Sequence, residues 1–95
     1  IGYKTAAVRA VPLSSTERGI LVTPNAENAY SGKYPLIHFL YLSVNYKPGS
    51  ELEPLRREFL RYVLSANGQA DVLEVGYLPV TYKISQRSLR RIGLK

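Results

Sequence analysis

The segment "LIHFLYLSVN", residues 36–45, constrains the fold more than any other part of the sequence. Large apolar side chains would fall on both faces of an extended chain here, with Ile37, Phe39 and Tyr41 on one face and Leu40, Leu42 and Val44 on the other. Successive side chains of a strand point to opposite faces, so both faces of this one need cover. The segment therefore predicts a central β-strand in a mixed α and β fold, a small sheet flanked by helices.

Two consecutive helices are predicted by "PLRREFLRYVLSANGQADVLEVGYLP", residues 54–79. Pro54 suits a first helical position, Ser65 can cap the second helix, and Gly76 fits the left-handed position after its end. Apolar residues at helical spacing predict one buried stripe on the first helix, made of Leu55, Phe59, Tyr62, Val63 and Ala66. The opposite side, with Arg56, Arg57, Glu58 and Arg61, is expected to face solvent. A terminal helix over residues 81–92 is predicted to turn Ile84, Leu89 and Ile92 inward and to stop before Gly93.

Short elements are predicted ahead of the central strand. Strands are expected within residues 1–13, with Ala7 to Val11 favoured, and at Ile20 to Val22. Thr23 suits an N-cap with Pro24 at the first helical position, and this helix of about two turns should end at Gly32.

The composition is that of an ordered globular chain. Hydrophobic residues make up 45% and charged residues 21% of 95 residues, which is enough for one small domain or part of a larger one. There is no Cys, so disulfides and Cys-based zinc sites are excluded, and no apolar run reaches the roughly 18 residues of a membrane span. Because the chain has neither Met nor a leader pattern, we interpret it as a segment of a longer protein, with any signal peptide upstream.

Catalytic chemistry has few candidates in this sequence. His38 is the one His and Asp71 the one Asp, and a strand residue paired with a helix-surface residue is a poor start for a catalytic triad. No metal-ligand spacing and no glycine-rich phosphate loop occurs. We therefore expect no enzyme activity, no cofactor and no metal site.

The net charge of +6 leaves a nucleic-acid partner as an alternative. Eight Tyr and two basic helix faces would suit single strands, but the Tyr residues do not interleave with the basic clusters, and Tyr41 and Tyr62 are predicted to lie on core faces. An ordinary solvated helix face also explains Arg56, Arg57 and Arg61. Arg57 lies four residues after Glu53, a spacing that allows the two side chains to pair on a helix. A free-standing basic module and an adaptor domain without ligand remain open beside the main hypothesis.

Three stretches together resemble the C-terminal part of periplasmic phosphate-binding proteins, the solute receptors of ABC-type phosphate importers. They are "IGYKTAAVRAVPLS", "TPNAENAYSGKYPLIHFLYLSVNYKPG" and "LEPLRREFLRYVLSANGQADVLEVGYLPV". The family reads similarly as an I-G-Y strand, a short helix before a G-x-Y-P turn into an L-Y-x-x-V-N strand, and F-L-x-F-V-L-S-x-x-G-Q followed by G-Y-x-P. The chain departs from the family at His38, where Arg is usual, and at Glu53, where a better cap such as Asp is common.

The resemblance implies a two-lobed receptor that closes on its ligand about a hinge. Residues 1–35 would supply a second-lobe strand and the hinge connection, and residues 36–95 a first-lobe strand and helices. Pro12 and the Tyr34–Pro35 turn are the hinge candidates, while the ligand-contacting residues are unknown here and expected upstream. Implied partners are inorganic phosphate and a membrane permease, without nucleic acid. The implied localisation is periplasmic or extracellular, with a membrane anchor upstream as a further alternative. Because the separated segment would expose apolar faces, a domain-swapped homodimer is also considered.

Overall fold

The computed structural model describes residues 5–95. In this range the chain forms four helices, α1 (Ala26–Tyr30), α2 (Pro54–Val63), α3 (Ala66–Glu74) and α4 (Tyr82–Arg91). The described residues divide into two compact units, one of residues 5–42 and one of residues 43–95. All buried residues of the described range lie in the second unit.

The predicted fold class is wrong, because the described residues contain helices and no β-strand or sheet. Their β pairing is limited to one antiparallel bridge, in which the amide of Leu13 donates to the carbonyl of Val22 at 3.0 Å and the amide of Val22 donates back at 2.7 Å. Ala7 to Val11 begins in a turn rather than a strand, and Ile20 to Val22 contributes only the bridge at Val22. The predicted I-G-Y strand at residues 1–3 lies outside the described residues.

The predicted central strand fails for a physical reason. A strand exists through its ladder, and among the described residues no backbone–backbone hydrogen bond involves residues 36–42. The apolar side chains there are exposed, Leu36 to 73% and Tyr41 to 83%. An apolar pattern on two faces shows that a segment needs cover, but the neighbouring strands must come from elsewhere in a chain. The apolar pattern therefore predicts that both faces of the segment need to be covered, but it does not predict that a sheet forms.

α1 forms within the predicted range, but it is shorter than the predicted two turns, begins at Ala26 rather than at Pro24, and has a different cap. The side chain of Asn25 accepts from the amide of Asn28 at 2.8 Å, so Asn25 rather than Thr23 is the N-cap. Thr23 instead offers its backbone carbonyl to the Asn28 side-chain amide, also at 2.8 Å. Gly32, with a φ of +76°, follows the end of the helix as predicted.

A small leucine core holds the unit of residues 43–95. Its buried members in the described range are Leu52, Leu60, Leu89 and Leu94, and Val44, Tyr46, Leu64 and Ile92 pack against them. The last turn of the chain builds part of this core. Gly93 adopts a φ of +74°, which allows the amide of Leu94 to donate to the carbonyl of Leu89 at 2.9 Å. Leu94 is thereby folded back beside Leu89, a contact typical of this helix ending.

α2 begins at Pro54 as predicted, yet its buried face is not the predicted one. Leu60 is 6% exposed, whereas Leu55 is 76% exposed and Phe59 and Tyr62 are also exposed. Apolar residues occupy more than one stripe of this helix, because Leu60 and Leu64 lie one turn apart outside the predicted stripe. The leucines contributed by α4 and its last turn select the Leu60 stripe. In α4 the predicted inward residues Leu89, Ile84 and Ile92 are buried or half-buried, as expected.

Candidate functional site

The junction between α2 and α3 concentrates the polar contacts of the second unit. We define it by Ser65, Gly68, Gln69 and Ser85. The Ser65 hydroxyl accepts from the Gly68 amide at 3.1 Å, which confirms Ser65 as the cap of α3, and donates to the carbonyl of Tyr62 at 2.6 Å. The Ser85 hydroxyl, from α4, donates to the carbonyl of Leu64. Side chains thus add hydrogen bonds to carbonyls at the end of α2, where the regular helical pattern stops.

Gln69 ties three elements together at this junction. Its side-chain Nε2 donates to the carbonyl of Val63 at 2.7 Å, and its Oε1 accepts from the amide of Val80 at 2.8 Å. One amide group therefore joins the end of α2, the first turn of α3 and the extended segment that leads into α4. These contacts are partly buried, where a hydrogen bond is exchanged less readily for water. Sequence reasoning matched "S-x-x-G-Q" to a family pattern and missed this connecting role of Gln69.

The end of α3 confirms the predicted stop. The amide of Gly76, whose φ is +90°, donates to the carbonyl of Leu73 at 3.0 Å, and the amide of Tyr77 donates to the carbonyl of Val72 at 3.2 Å. These two hydrogen bonds run from residues just after α3 back to carbonyls in its last turn, and they require a left-handed backbone conformation at Gly76. Tyr77 thereby folds back toward Val72. The start of α2 also agrees with the sequence, in which Glu53 stands where a better cap is common. The Glu53 side chain makes no capping hydrogen bond.

Tyr62 and Asp71 form a further contact between α2 and α3. The Tyr62 hydroxyl donates to the Asp71 carboxylate, and this hydrogen bond is the largest cause of a raised pKa at Tyr62. The negative charge of Asp71 adds to the effect, since ionising the phenol would place two negative charges together. The prediction that Tyr62 belongs to a buried stripe is wrong, because its side chain is exposed and its hydroxyl faces Asp71.

Tyr62→Phe is expected to reduce the loss of stability at high pH. The folded-state pKa of Tyr62 lies above its ordinary value of 10.0, so its contribution is fully present below about pH 10 and is lost as pH rises through the raised value. Urea unfolding between about pH 9 and about pH 11 should therefore show a shallower decline in the variant than in the parent chain. Tyr82→Phe, which leaves the Tyr62–Asp71 hydrogen bond intact, is the matched control. An unchanged decline in Tyr62→Phe would contradict the assignment.

Two of the predicted hinge candidates are neighbours in the unit of residues 5–42. The Tyr34 hydroxyl donates to the carbonyl of Val11 at 3.2 Å, directly before Pro12. The amide of Tyr34 donates to the carbonyl of Asn28 at 3.2 Å, and Pro35 follows as an exposed residue. The turn after α1 is therefore fastened to the chain at Pro12. A hinge role for Pro12, Tyr34 and Pro35 stays a prediction.

His38 and Asp71 each have a local partner. Nδ1 of His38 lies 3.1 Å from the carbonyl oxygen of Phe39, and the ring is exposed rather than enclosed by a sheet as predicted. Asp71 accepts from Tyr62. Within residues 5–95 no three His, Cys, Asp or Glu side chains come together in an arrangement that could hold a metal ion. None of the helices in this part of the chain has the length and apolar character needed to cross a membrane.

The basic residues of α2 are paired with acidic ones. Arg56 lies 3.8 Å from Glu53, while Arg57 and Arg61 approach the same oxygen of Glu58 at 3.3 and 2.9 Å. The predicted pairing of Arg57 with Glu53 is therefore replaced by pairing with Glu58. Tyr41, predicted to lie on a core face, is exposed and packs its ring against Phe39 with 6.1 Å between centroids. The basic face of α2, which was considered for nucleic acid, is thus partly neutralised by Glu53 and Glu58.

Comparison with known proteins shows which class of protein the chain is similar to. The predicted resemblance is confirmed, because nearly the whole chain is similar to the C-terminal part of a phosphate-binding protein. In particular, 94 residues, 99% of this chain, are 44% identical to the phosphate-binding protein PstS of two strains of Pseudomonas aeruginosa. The chain spans 29% of the length of these relatives. A comparison with protein-family profiles finds no match.

Proposed function

We propose that this chain is the C-terminal part of a receptor that binds inorganic phosphate and delivers it to an ABC importer in the membrane. The observation that carries the proposal is the 44% identity over 94 residues to a phosphate-binding protein. The receptor would work in the periplasm or outside the cell, and it would bind without catalysis. We also propose that the phosphate site lies in the part of the receptor that precedes these residues, as the family resemblance implies. The chain spans 29% of the length of its relatives.

The role proposed for the segment itself is architectural. The residues that carry the resemblance, Ser65, Gly68 and Gln69, contact backbone groups of neighbouring elements. Large apolar side chains lie exposed on residues 36–42 and on α2, among them Leu40, Leu55 and Phe59. Surfaces of this kind are typical of interfaces with another part of a protein. We propose that the preceding part of the receptor covers them, and that Pro12, Tyr34 and Pro35 carry the connection between lobes.

Calorimetric titration of phosphate into the 95-residue chain and into the complete receptor tests this proposal. The complete receptor is expected to bind phosphate with a micromolar or lower Kd, and the chain alone to give no binding heat, because its residues are not expected to contact the anion. Sulfate is the matched control for anion identity. Phosphate binding by the chain alone would refute the architectural role. A complete receptor that prefers sulfate would refute the proposal that phosphate is the ligand.

The oligomeric state of the chain is measured in the same preparation. Apolar side chains left exposed favour exchange or association between copies, so we propose a homodimer of the separated chain and a monomeric complete receptor. Sedimentation equilibrium distinguishes the two. A monomeric chain at concentrations used for calorimetry would rule out the exchange.

A further inference from the structure

The outward side of α4 carries a row of basic residues. Lys83, Arg87, Arg90 and Arg91 follow one another at helical spacing and fall on one side of the helix. Ser85 and Leu89, which are buried, lie on the opposite side and fix α4 against the leucine core. All four basic side chains are exposed. We call Lys83, Arg87, Arg90 and Arg91 the α4 basic face.

The charges of the α4 basic face are not compensated within the described chain. Residues 5–95 place no acidic side chain within ion-pair distance of any of the four. In α2, by contrast, Arg56 pairs with Glu53, and Arg57 and Arg61 pair with Glu58. α4 contains no acidic residue. Like charges separated by four residues, as at Lys83 and Arg87 or Arg87 and Arg91, destabilise a helix. Lys83 and Arg87 therefore oppose the stability of the helix that carries them, while Arg90 and Arg91 lie in its last turn, where the helix dipole favours positive charge.

The residue types on this side of α4 favour a protein partner. Three of the four charges are Arg, whose planar guanidinium can hold a carboxylate with two parallel hydrogen bonds. Tyr82, 78% exposed, stands at the start of the same helix beside a shallow open depression that Gln86, Arg87 and Arg90 help to line. Arg and Tyr are enriched at protein interfaces, where they often contribute most of the binding energy.

The packing of α4 argues against a membrane surface as the partner. A helix that lies on a bilayer presents large apolar residues to the lipid. The apolar residues of α4 are used otherwise, since Leu89 is buried in the leucine core and Ile92 packs against it. We propose that the α4 basic face is a docking surface for an acidic protein partner, whose Asp and Glu carboxylates pair with Arg87, Arg90 and Lys83. This inference does not depend on which anion the complete receptor binds.

The test compares two triple variants with equal loss of charge. Lys83→Gln, Arg87→Gln and Arg90→Gln remove three of the four charges of the α4 basic face, and Arg56→Gln, Arg57→Gln and Arg61→Gln remove the three paired charges of α2. Poly-L-glutamate serves as the probe at low salt, where exposed ion pairs contribute most. The α4 variant is expected to bind about tenfold more weakly than the parent chain, and the α2 variant within about twofold of it.

Equal weakening in both variants would overturn the proposal, because it would assign binding to net charge alone. Phosphatidylglycerol vesicles and single-stranded oligothymidylate are titrated in parallel. Tighter, α4-dependent binding to either of them than to poly-L-glutamate would also overturn it, in favour of a lipid or nucleic-acid partner. Urea unfolding checks the variants themselves. The α4 variant is expected to be about as stable as the parent chain, because relief of the repulsion between Lys83 and Arg87 offsets the loss of a favourable charge at Arg90 in the last turn.

Discussion

Leu60→Ala is expected to lower the free energy of unfolding of the chain by about 2–4 kcal/mol, the largest effect that we predict for a single side chain. Leu60 is 6% exposed and is the buried residue that α2 contributes to a core of four leucines. Removing its side chain takes away transfer free energy and leaves a cavity against Leu52, Leu89 and Leu94 that these residues fill only in part. Urea unfolding followed by far-ultraviolet circular dichroism measures the loss.

Leu55→Ala is the matched control on the same helix. Leu55 is 76% exposed, so the same substitution should change the free energy of unfolding by less than about 0.5 kcal/mol. The pair also decides between two orientations of α2. If α2 instead buried the stripe predicted from its apolar spacing, Leu55→Ala would be the damaging substitution and Leu60→Ala the mild one. In the complete receptor, Leu55→Ala is expected to become destabilising as well, because our proposal covers that stripe with the preceding part of the chain.

Gly68→Ala is expected to destabilise the chain by about 2–3 kcal/mol, although Ala is the better helix former. Gly68 is buried in the first turn of α3, where that helix passes closely over the end of α2. A Cβ at this position would lie 2.9 Å from the carbonyl carbon of Tyr62, closer still to its oxygen, and 3.0 Å from the carbonyl oxygen of Val63. These are backbone atoms that cannot rotate away, so α3 would have to move and strain the Ser65 and Gln69 hydrogen bonds.

Asn67→Ala isolates the contribution of helix propensity. Asn67 is the exposed neighbour of Gly68 in the same turn, so its replacement changes propensity without touching α2. The variant should be as stable as the parent chain or about 0.5 kcal/mol more stable. A stabilising Gly68→Ala would show that α3 can move away from α2 without loss, and that Gly68 is not required by the close approach.

Features that depend on neighbours in the sequence were predicted well. Pro54 at the start of α2, Ser65 as the cap of α3 and Gly76 and Gly93 after their helices all follow from backbone rules that act over a few residues. The cap of α1 is the exception, because the sequence predicted Thr23 there, whereas Asn25 makes the capping hydrogen bond to the amide of Asn28. The resemblance to phosphate-binding proteins was likewise available from the order and spacing of short motifs.

The contacts at the junction could not be predicted from sequence in the same way. Gln69 reaches Val80 across eleven positions, and Ser85 reaches Leu64 across twenty-one. Long-range hydrogen bonds of this kind depend on how α4 returns to the end of α2, which no local pattern specifies. The two basic surfaces show the same difference between local and long-range features. The charges of α4 and α2 were evident in the sequence, but only the structure shows that, within residues 5–95, those of α2 are paired and those of α4 are not.

The sequence by itself determined where α2 and α3 begin and where α3 and α4 end, that the chain lacks Cys chemistry, and which class of protein it resembles. Only the tertiary structure decided which faces are buried. It selected Leu60 over Leu55 on α2 and left residues 36–42 exposed without a sheet. The physical reason is that caps and turns are satisfied by groups a few residues away, whereas a buried face and a β-ladder each need a partner that is distant in the chain.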